Sequence, residues 1–154
     1  MNWKPLVRLS VILLLFSLAA GCSGPRVKVA MSATANLNLN EFDEPLPVVI
    51  RFYQLSDNKA FEKAAFEELW KKDLVTLGDA LLTKEEVVIN PGTQERLIYP
   101  RHDQAKYVGV MAIFRRPGGE GWRSVKTVAS GFISRQFSNS VTVSLKGNSV
   151  EIVD

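Results

Sequence analysis

The sequence predicts an all-β fold, a two-sheet β-sandwich into which one α-helix is inserted. Seven or eight short segments show the periodicity of strands, and turn-forming residues separate them. A single stretch in the first half has the spacing of an amphipathic helix. Short strands with one added helix favour a sandwich, and a closed barrel is the alternative arrangement of the same strands.

The first 21 residues have the pattern of a secretory signal peptide. Lys4 and Arg8 form a short basic region, and an apolar segment follows over residues 9–20. A membrane-spanning helix needs about 20 apolar residues, and this segment is shorter. We therefore expect residues 1–21 to be removed from the mature protein.

The end of this segment resembles the lipobox of bacterial lipoproteins. Residues 19–21 are small and directly precede Cys22, the only cysteine of the chain. The resemblance implies that Cys22 receives a diacylglycerol and becomes the mature N-terminus, and that Ser23 directs sorting to the outer membrane. Residues 22–25 are then a lipidated N-terminus and a spacer of about 10 Å, at about 3.3 Å per residue.

The remaining residues, 26–154, have the length and composition of one domain. The signal peptide holds two of the 19 basic residues and no acidic residue, so 17 basic and 16 acidic residues remain. This balance does not indicate a nucleic-acid-binding surface. With one cysteine and one histidine, the chain can form neither an internal disulfide nor a Cys/His zinc site, and we expect no metal and no cofactor.

The domain begins with a predicted strand, because apolar and polar residues alternate over residues 27–39. Residues 40–47 break this pattern with acids, Asn and two prolines, and predict a connecting loop. Phe42 in this loop either folds back on the core or stands exposed as a contact residue. Residues 48–55 are rich in β-branched and aromatic residues and predict a second strand.

A helix is expected after the second strand. Apolar residues recur at helical spacing from Phe61 to Trp70, and this aromatic stripe is expected to dock on the sheet. Residues 72–83 are mixed in character and predict an irregular segment with a turn at Gly78.

The second half of the domain predicts further strands. Residues 85–89 and 96–99 are short strands joined by a turn at residues 90–92. Residues 107–114 are apolar at both parities, so both faces of this strand should be covered, one of them by the helix.

The last strands follow a glycine-rich connection at residues 115–121. Its spacing fits neither a phosphate-binding P-loop nor a dinucleotide fingerprint, so we interpret it as a hairpin turn. Residues 122–129 and 132–137 predict further extended segments, and residues 141–145 pair with residues 150–152 in a closing hairpin.

His102 is the only histidine and so the sole candidate for a general base at neutral pH. It lies in a polar connection, and neither a nucleophile elbow nor a paired-carboxylate motif accompanies it. We therefore predict that the protein is not an enzyme and has no small-molecule substrate.

Four stretches share a further resemblance, namely residues 47–55, 90–92 and 107–114 and the pair Trp122-Arg123. In this order, and with the lipobox in front, the chain resembles the type VI secretion system lipoprotein family TssJ. The resemblance implies a two-sheet sandwich of transthyretin-like topology, lipid-anchored at the periplasmic face of the outer membrane. It also implies a non-enzymatic component of an envelope-spanning complex.

In that family, the loop between the first two strands binds the periplasmic C-terminal domain of the inner-membrane protein TssM, which associates with TssL. The resemblance places this role on Asn40, Glu41, Phe42, Asp43 and Glu44. The residue types suggest how the loop would work. The Phe42 ring would be an apolar anchor inside an acidic rim, and the charges would guide the encounter.

Two other functions remain open at this point. One is a periplasmic glycan- or peptidoglycan-binding lipoprotein outside any secretion system, with Trp70 or Trp122 as a stacking platform. The other is a periplasmic hydrolase centred on His102. Quenching of tryptophan fluorescence by muropeptides would favour the first, and turnover that is lost in His102→Ala would favour the second.

The lipobox makes a direct prediction. Cys22→Ala removes the thiol that would take the lipid, so the variant should fail to incorporate labelled palmitate and should wash off membranes. Acyl chains hold a protein by about 0.8 kcal/mol per buried methylene, and that hold is lost. Label retained by the Cys22→Ala protein would exclude the lipoprotein interpretation.

Overall fold

The computed structural model describes residues 24–128 and 139–153. Eight strands are present in this part of the chain: β1 Arg26–Ala33, β2 Val48–Leu55, β3 Leu81–Ile89, β4 Gln94–Pro100, β5 Tyr107–Ile113, β6 Arg123–Thr127, β7 Asn139–Lys146 and β8 Ser149–Val153. Between β2 and β3 lie α1 (Lys59–Lys63), α2 (Phe66–Leu77) and a 3-10 turn at Gly78–Ala80. The expected signal peptide at residues 1–21, Cys22 and the extended segment expected at residues 132–137 fall outside the described residues.

The strands form two four-stranded sheets, in the orders β4-β1-β7-β8 and β3-β2-β5-β6. Strand β1 is central in its sheet, antiparallel to β4 and parallel to β7, while the neighbours in the other sheet are all antiparallel. The two sheets are hydrogen-bonded separately, which confirms the predicted sandwich.

The core lies between the sheets and follows the alternation of the sequence. In β1, Val27, Val29 and Met31 are buried, while the residues that alternate with them are exposed, namely Lys28, Ala30 and Ser32. Strand β7 repeats this pattern with buried Val141, Val143 and Leu145. Because successive side chains point to opposite faces of a strand, each alternating strand contributes one apolar row to the core.

The helical segment covers the outer face of the second sheet, as the sequence predicted for residues 107–114. Phe61 of α1 is fully buried between Tyr53 of β2, at a ring distance of 5.7 Å, and Gly109 of β5. A methyl group on Gly109 would lie 3.0 Å from the Phe61 ring, so only glycine lets the ring approach this closely. Among the described residues, no helix is long and apolar enough to cross a membrane.

The first strand is shorter than the sequence predicted. The alternation continues to residue 39, but β1 ends at Ala33 and residues 35–38 form turns. The N–H of Leu37 donates to the carbonyl of Thr34 at 3.2 Å, and Asn38 has a left-handed backbone with a φ of 51°. Leu37 is nevertheless fully buried, so a core residue in a turn happened to fit the parity of a strand.

The prediction of an irregular segment at residues 72–83 is also wrong in part. Helix α2 continues to Leu77 with one non-helical residue, Lys72, and β3 already begins at Leu81. The helix persists because Leu69 and Leu77 are buried against the sheet and Asp73, a turn between them, is also buried. Gly78, with a φ of 49°, then ends the helix close to the predicted turn.

A buried carboxylate fixes α2 to the sheet. The Oδ2 atom of Asp73 accepts hydrogen bonds from Lys84 Nζ at 3.0 Å and from the Tyr53 hydroxyl at 3.1 Å, and it lies 3.5 Å from Arg51 Nη1. Burial alone would raise the pKa of Asp73. The hydrogen bond and charge of Lys84, the Tyr53 hydroxyl and the charge of Arg51 outweigh it and hold that pKa below its ordinary value.

The Asp73 contacts predict how stability depends on pH. A lowered pKa in the folded state adds stability above the unfolded carboxyl pKa of about 3.9, and this stability is lost as the pH falls through the folded pKa. Asp73→Asn should therefore unfold more easily by about 3 kcal/mol at pH 7, and the difference from wild type should shrink below about pH 4. Urea unfolding at several pH values measures this. Asp79→Asn, at an exposed position, should unfold like wild type throughout, and a difference for Asp73→Asn that does not change with pH would contradict the assignment.

Candidate functional site

The loop predicted to bind a partner lies at one end of the sandwich. Strand β1 runs from the end where the chain enters, at Pro25, to the end that carries residues 40–44. It has 8 residues, so at about 3.3 Å per residue its two ends are about 25 Å apart. The entry end and the loop end of the domain therefore face opposite directions.

Asn40 gives the loop its shape. Its side-chain oxygen accepts hydrogen bonds from the N–H groups of Phe42 at 2.8 Å and Glu44 at 3.0 Å. Its side-chain nitrogen donates to the Glu44 carboxylate at 2.7 Å, and its own N–H donates to the Glu44 carbonyl at 3.0 Å. An Asn side chain that bonds nearby backbone groups in this way fixes a turn without help from a sheet.

The turn displays Phe42 to solvent. The ring is 75% exposed, which decides between the two alternatives left open by the sequence. The next residue, Asp43, has a left-handed backbone with a φ of 59°, and the chain then returns so that the Glu44 carbonyl meets the N–H of Asn40. An aromatic ring this exposed on an ordered turn is a feature of contact surfaces.

The three acidic side chains around Phe42 differ in their contacts. The Glu41 carboxylate forms an ion pair with Arg115 at 2.8 Å, on the connection that follows β5. Glu44 is engaged with Asn40, and Asp43 is exposed. An ion pair between two half-exposed side chains contributes little to stability, so its main effect is to set where the Glu41 and Arg115 side chains lie.

Asn38 connects the loop to the rest of the domain. It is only 3% exposed, and its side-chain nitrogen donates to the carbonyl of Pro47 at 3.2 Å. Its side-chain oxygen accepts the N–H of Arg115 at 2.9 Å, and its own N–H donates to the carbonyl of Gly147 at 2.9 Å. The base of the loop is thereby bound to the connections that follow β5 and β7.

The structure brings all five sequence-predicted loop residues into one turn, and it adds two that the sequence analysis missed. Asn38 and Arg115 were not recognised, because one was assigned to a strand and the other to a hairpin turn. Asn at positions 36, 38 and 40 was the available signal for the first, since Asn tolerates the left-handed conformation better than other side chains do. Nothing local in the sequence connects Arg115 with Glu41.

The residues of the competing interpretations lie elsewhere. His102 is near the entry end, where its N–H donates to Gln54 Oε1 at 2.8 Å and its Nδ1 accepts the N–H of Gln104 at 3.2 Å. Trp122 is buried, so it is not a stacking platform, while Trp70 is partly exposed. Within residues 24–128 and 139–153, no group of three or more His, Cys, Asp or Glu side chains is placed to hold a metal ion.

Comparison with known families identifies the chain. The family model described as "Type VI secretion lipoprotein, VasD, EvfM, TssJ, VC_A0113" matches residues 25–148, which is most of the sequence. The chain belongs to this family. Members of the TssJ family are structural lipoproteins and not enzymes, so the predictions of a type VI secretion lipoprotein and of no catalytic role are confirmed. No curated protein matches the chain.

Solved structures share the TssJ fold. The type VI lipoprotein TssJ1 from Pseudomonas aeruginosa is 27% identical, with 84% of this chain and 95% of that one covered and a TM-score of 0.74. Lip from Serratia marcescens, a membrane-bound component of its type VI secretion system, is 21% identical, with 85% and 97% covered and a TM-score of 0.77. A chain in the structure described as the T6SS protein TssM C-terminal domain from EAEC is 24% identical, with 84% and 98% covered and a TM-score of 0.70.

The Asn40 contacts predict that the turn loses its order without that side chain. In Asn40→Ala, the N–H groups of Phe42 and Glu44 lose their acceptor, worth about 1 kcal/mol each, and should exchange with solvent roughly fivefold faster. Hydrogen exchange at residue resolution measures this. Asn36→Ala, at an exposed position, should leave both rates unchanged, and equal rates in Asn40→Ala and wild type would show that the backbone alone holds the turn.

Proposed function

We propose that this chain is an outer-membrane lipoprotein that attaches the type VI secretion membrane complex to the outer membrane. In this proposal residues 1–21 are a signal peptide and Cys22 carries the lipid. The domain from residue 26 onward binds the periplasmic C-terminal domain of TssM through Asn40, Glu41, Phe42, Asp43 and Glu44, and reaches TssL through TssM. The observation that carries the proposal is Phe42, exposed on an ordered turn at the end of the domain opposite the entry end.

The two ends of the domain support separate roles. The chain enters the domain at Gly24 and Pro25, and the N–H of Arg101 donates to the carbonyl of Pro25 at 2.9 Å, which holds the start of the domain in place. A spacer of residues 22–25 reaches only about 10 Å, so a lipid on Cys22 would keep the entry end close to the bilayer. The loop end would then point away from the membrane, toward a partner in the periplasm.

Phe42 supplies the main attraction in this proposal. Covering an aromatic ring buries roughly 150 Å² or more, and aromatic anchors that enter a pocket account for much of the affinity of many interfaces. The ordered turn matters because a side chain that is already in its binding position loses less conformational entropy on association. TssM is the partner that the family resemblance implies, and a solved structure described as a TssM C-terminal domain contains a chain of this fold, which supports the proposal.

The charges around Phe42 indicate the chemistry of the pocket on TssM. Asp43 is exposed and Glu44 is partly engaged, while Glu41 already faces Arg115. A pocket with basic residues on the side of Asp43 and Glu44 would complement this rim. Such charges speed the encounter and orient it, and their effect decreases at high salt concentration.

The proposal predicts the effect of removing the ring. Phe42→Ala in the intact lipoprotein should raise the Kd for the TssM periplasmic C-terminal domain about tenfold to a hundredfold, because the variant loses its buried anchor. Isothermal titration calorimetry in detergent measures the Kd.

The matched control is Ile98→Ala, which removes another exposed apolar side chain, on β4. It should change the Kd by less than about twofold, since scattered exposed side chains outside an interface contribute no affinity. Equal affinities of wild type and Phe42→Ala would remove the anchor role of Phe42. Absence of any binding by the wild-type lipoprotein would overturn the proposed partner itself.

A further inference from the structure

An apolar groove lies at the start of α2, where the helix meets the connection that follows β5. It has a volume of about 330 Å³, close to the lower limit of clefts that bind ligands. Its apolar lining comes from both of these elements and consists of Phe66, Trp70, Ile113, Phe114 and Pro117. The groove is therefore aromatic on the helix side and faces solvent.

The walls of the groove are fixed in position. The Phe66 ring packs edge-on against the buried Trp122 at 5.3 Å and lies 5.9 Å from Trp70. The guanidinium of Arg51 donates to the carbonyl of Trp70 at 2.8 Å, which holds the backbone under the indole against the sheet. Trp70 is still 40% exposed, so the described part of the chain covers this side chain only in part.

The groove is continuous with the loop that carries Phe42. Arg115 lines the groove and forms the ion pair with Glu41 on that loop. The backbone N–H of the same Arg115 is bound to the Asn38 side chain at the base of the loop. One residue thus joins the two surfaces through both its side chain and its backbone, and a partner seated on Phe42 is brought next to the groove.

The charges of the two surfaces differ in sign. The loop carries Asp43 and Glu44, both exposed. On the other side, Arg115 is already paired with Glu41, and the exposed Arg116 lies in the chain between two residues that line the groove. On the helix side, Glu67 lines the groove and forms an ion pair with Lys71, so this pair adds no net charge. The groove therefore suits a segment that combines an apolar side chain with an acidic group.

We propose that this groove is a second contact site for TssM, one that takes an apolar side chain next to an acidic residue of the same periplasmic domain. The inference rests on the proposed function, because it assigns a further part of the surface to the partner bound by Phe42. A single anchor leaves the partner free to rotate about it. A second anchor beside it, with the opposite charge, fixes the orientation of TssM on the lipoprotein.

The test is calorimetry of the intact lipoprotein in detergent with the TssM periplasmic C-terminal domain of the same secretion system. Trp70→Ala should raise the Kd about tenfold, as expected for the loss of a central aromatic contact. Val75→Ala is the control, because Val75 is 82% exposed on the same helix but does not line the groove. It should bind TssM like wild type.

A charge reversal tests the groove without removing any wall. Arg116→Glu should raise the Kd several-fold, with a larger effect at low salt concentration, since an acidic partner segment is then repelled. Arg96→Glu makes the same change at an exposed position on β4 and should have little effect. Circular dichroism and thermal midpoints establish that each variant is folded.

The outcomes separate the two proposals. If Phe42→Ala weakens binding while Trp70→Ala and Arg116→Glu bind like wild type, the groove is not a contact site and the proposed function stands. If wild type does not bind TssM, the proposed function fails, and the groove assignment with it. If Trp70→Ala instead abolishes self-association in sedimentation and keeps its affinity for TssM, the occupant is a second copy of this chain and the inference is overturned.

Discussion

The buried side chain of Asn38 is the contact on which the loop end of the domain depends. Its amide is satisfied by the carbonyl of Pro47 and by the N–H of Arg115, and its backbone N–H by the carbonyl of Gly147. A buried polar group left without partners costs about 1–3 kcal/mol, so these contacts hold only if three separate connections of the sandwich come together. Both surfaces assigned to the partner extend from this point, since the loop follows Asn38 in the chain and Arg115 is bound to it.

The outer face of the second sheet depends on a different set of polar contacts. The guanidinium of Arg51 donates hydrogen bonds to the backbone carbonyls of Leu69 and Trp70 on α2 and also pairs with Glu86. The Asp73 carboxylate accepts hydrogen bonds from Tyr53 and Lys84. Buried ion pairs are weak evidence for stability, because removing charges from water offsets much of their attraction. Their effect here is positional, since an apolar helix face alone could slide on the sheet and these directional bonds allow one placement. The groove exists because that placement sets Trp70 beside the strand end.

The sequence predicted the parts of this molecule that depend on local pattern and missed those that depend on distant contacts. Strands β1, β2, β5 and β7 follow from parity and residue type, and the cover over residues 107–114 follows from a strand that is apolar on both faces. The alternation of apolar and polar residues wrongly predicted a strand at Leu37, because this core residue lies in a turn. The mixed composition of residues 72–83 did not predict that α2 extends to Leu77, because the hydrogen-bond donors to Asp73 come from other elements. The sequence pattern and the family resemblance predicted a loop at residues 40–44. The exposure of Phe42 could not be predicted, because it depends on the hydrogen bonds of Asn40. The Glu41–Arg115 ion pair could not be predicted either, because it joins residues 74 positions apart.

The path from the proposed lipid to the proposed partner runs along a single strand. Strand β1 begins next to the proposed spacer and ends at Ala33, from where a turn over residues 35–38 leads to the loop. It is hydrogen-bonded to β4 on one side and β7 on the other. A pull between the membrane and a partner on Phe42 would act along β1 and would be shared by both ladders at once, since the bonds lie across the strand direction. At the far end Asn38 spreads the same pull to the connections after β5 and β7. The central strand of the sandwich therefore links the two proposed attachment points, because it begins at the proposed spacer and leads through a single turn to the loop that carries Phe42.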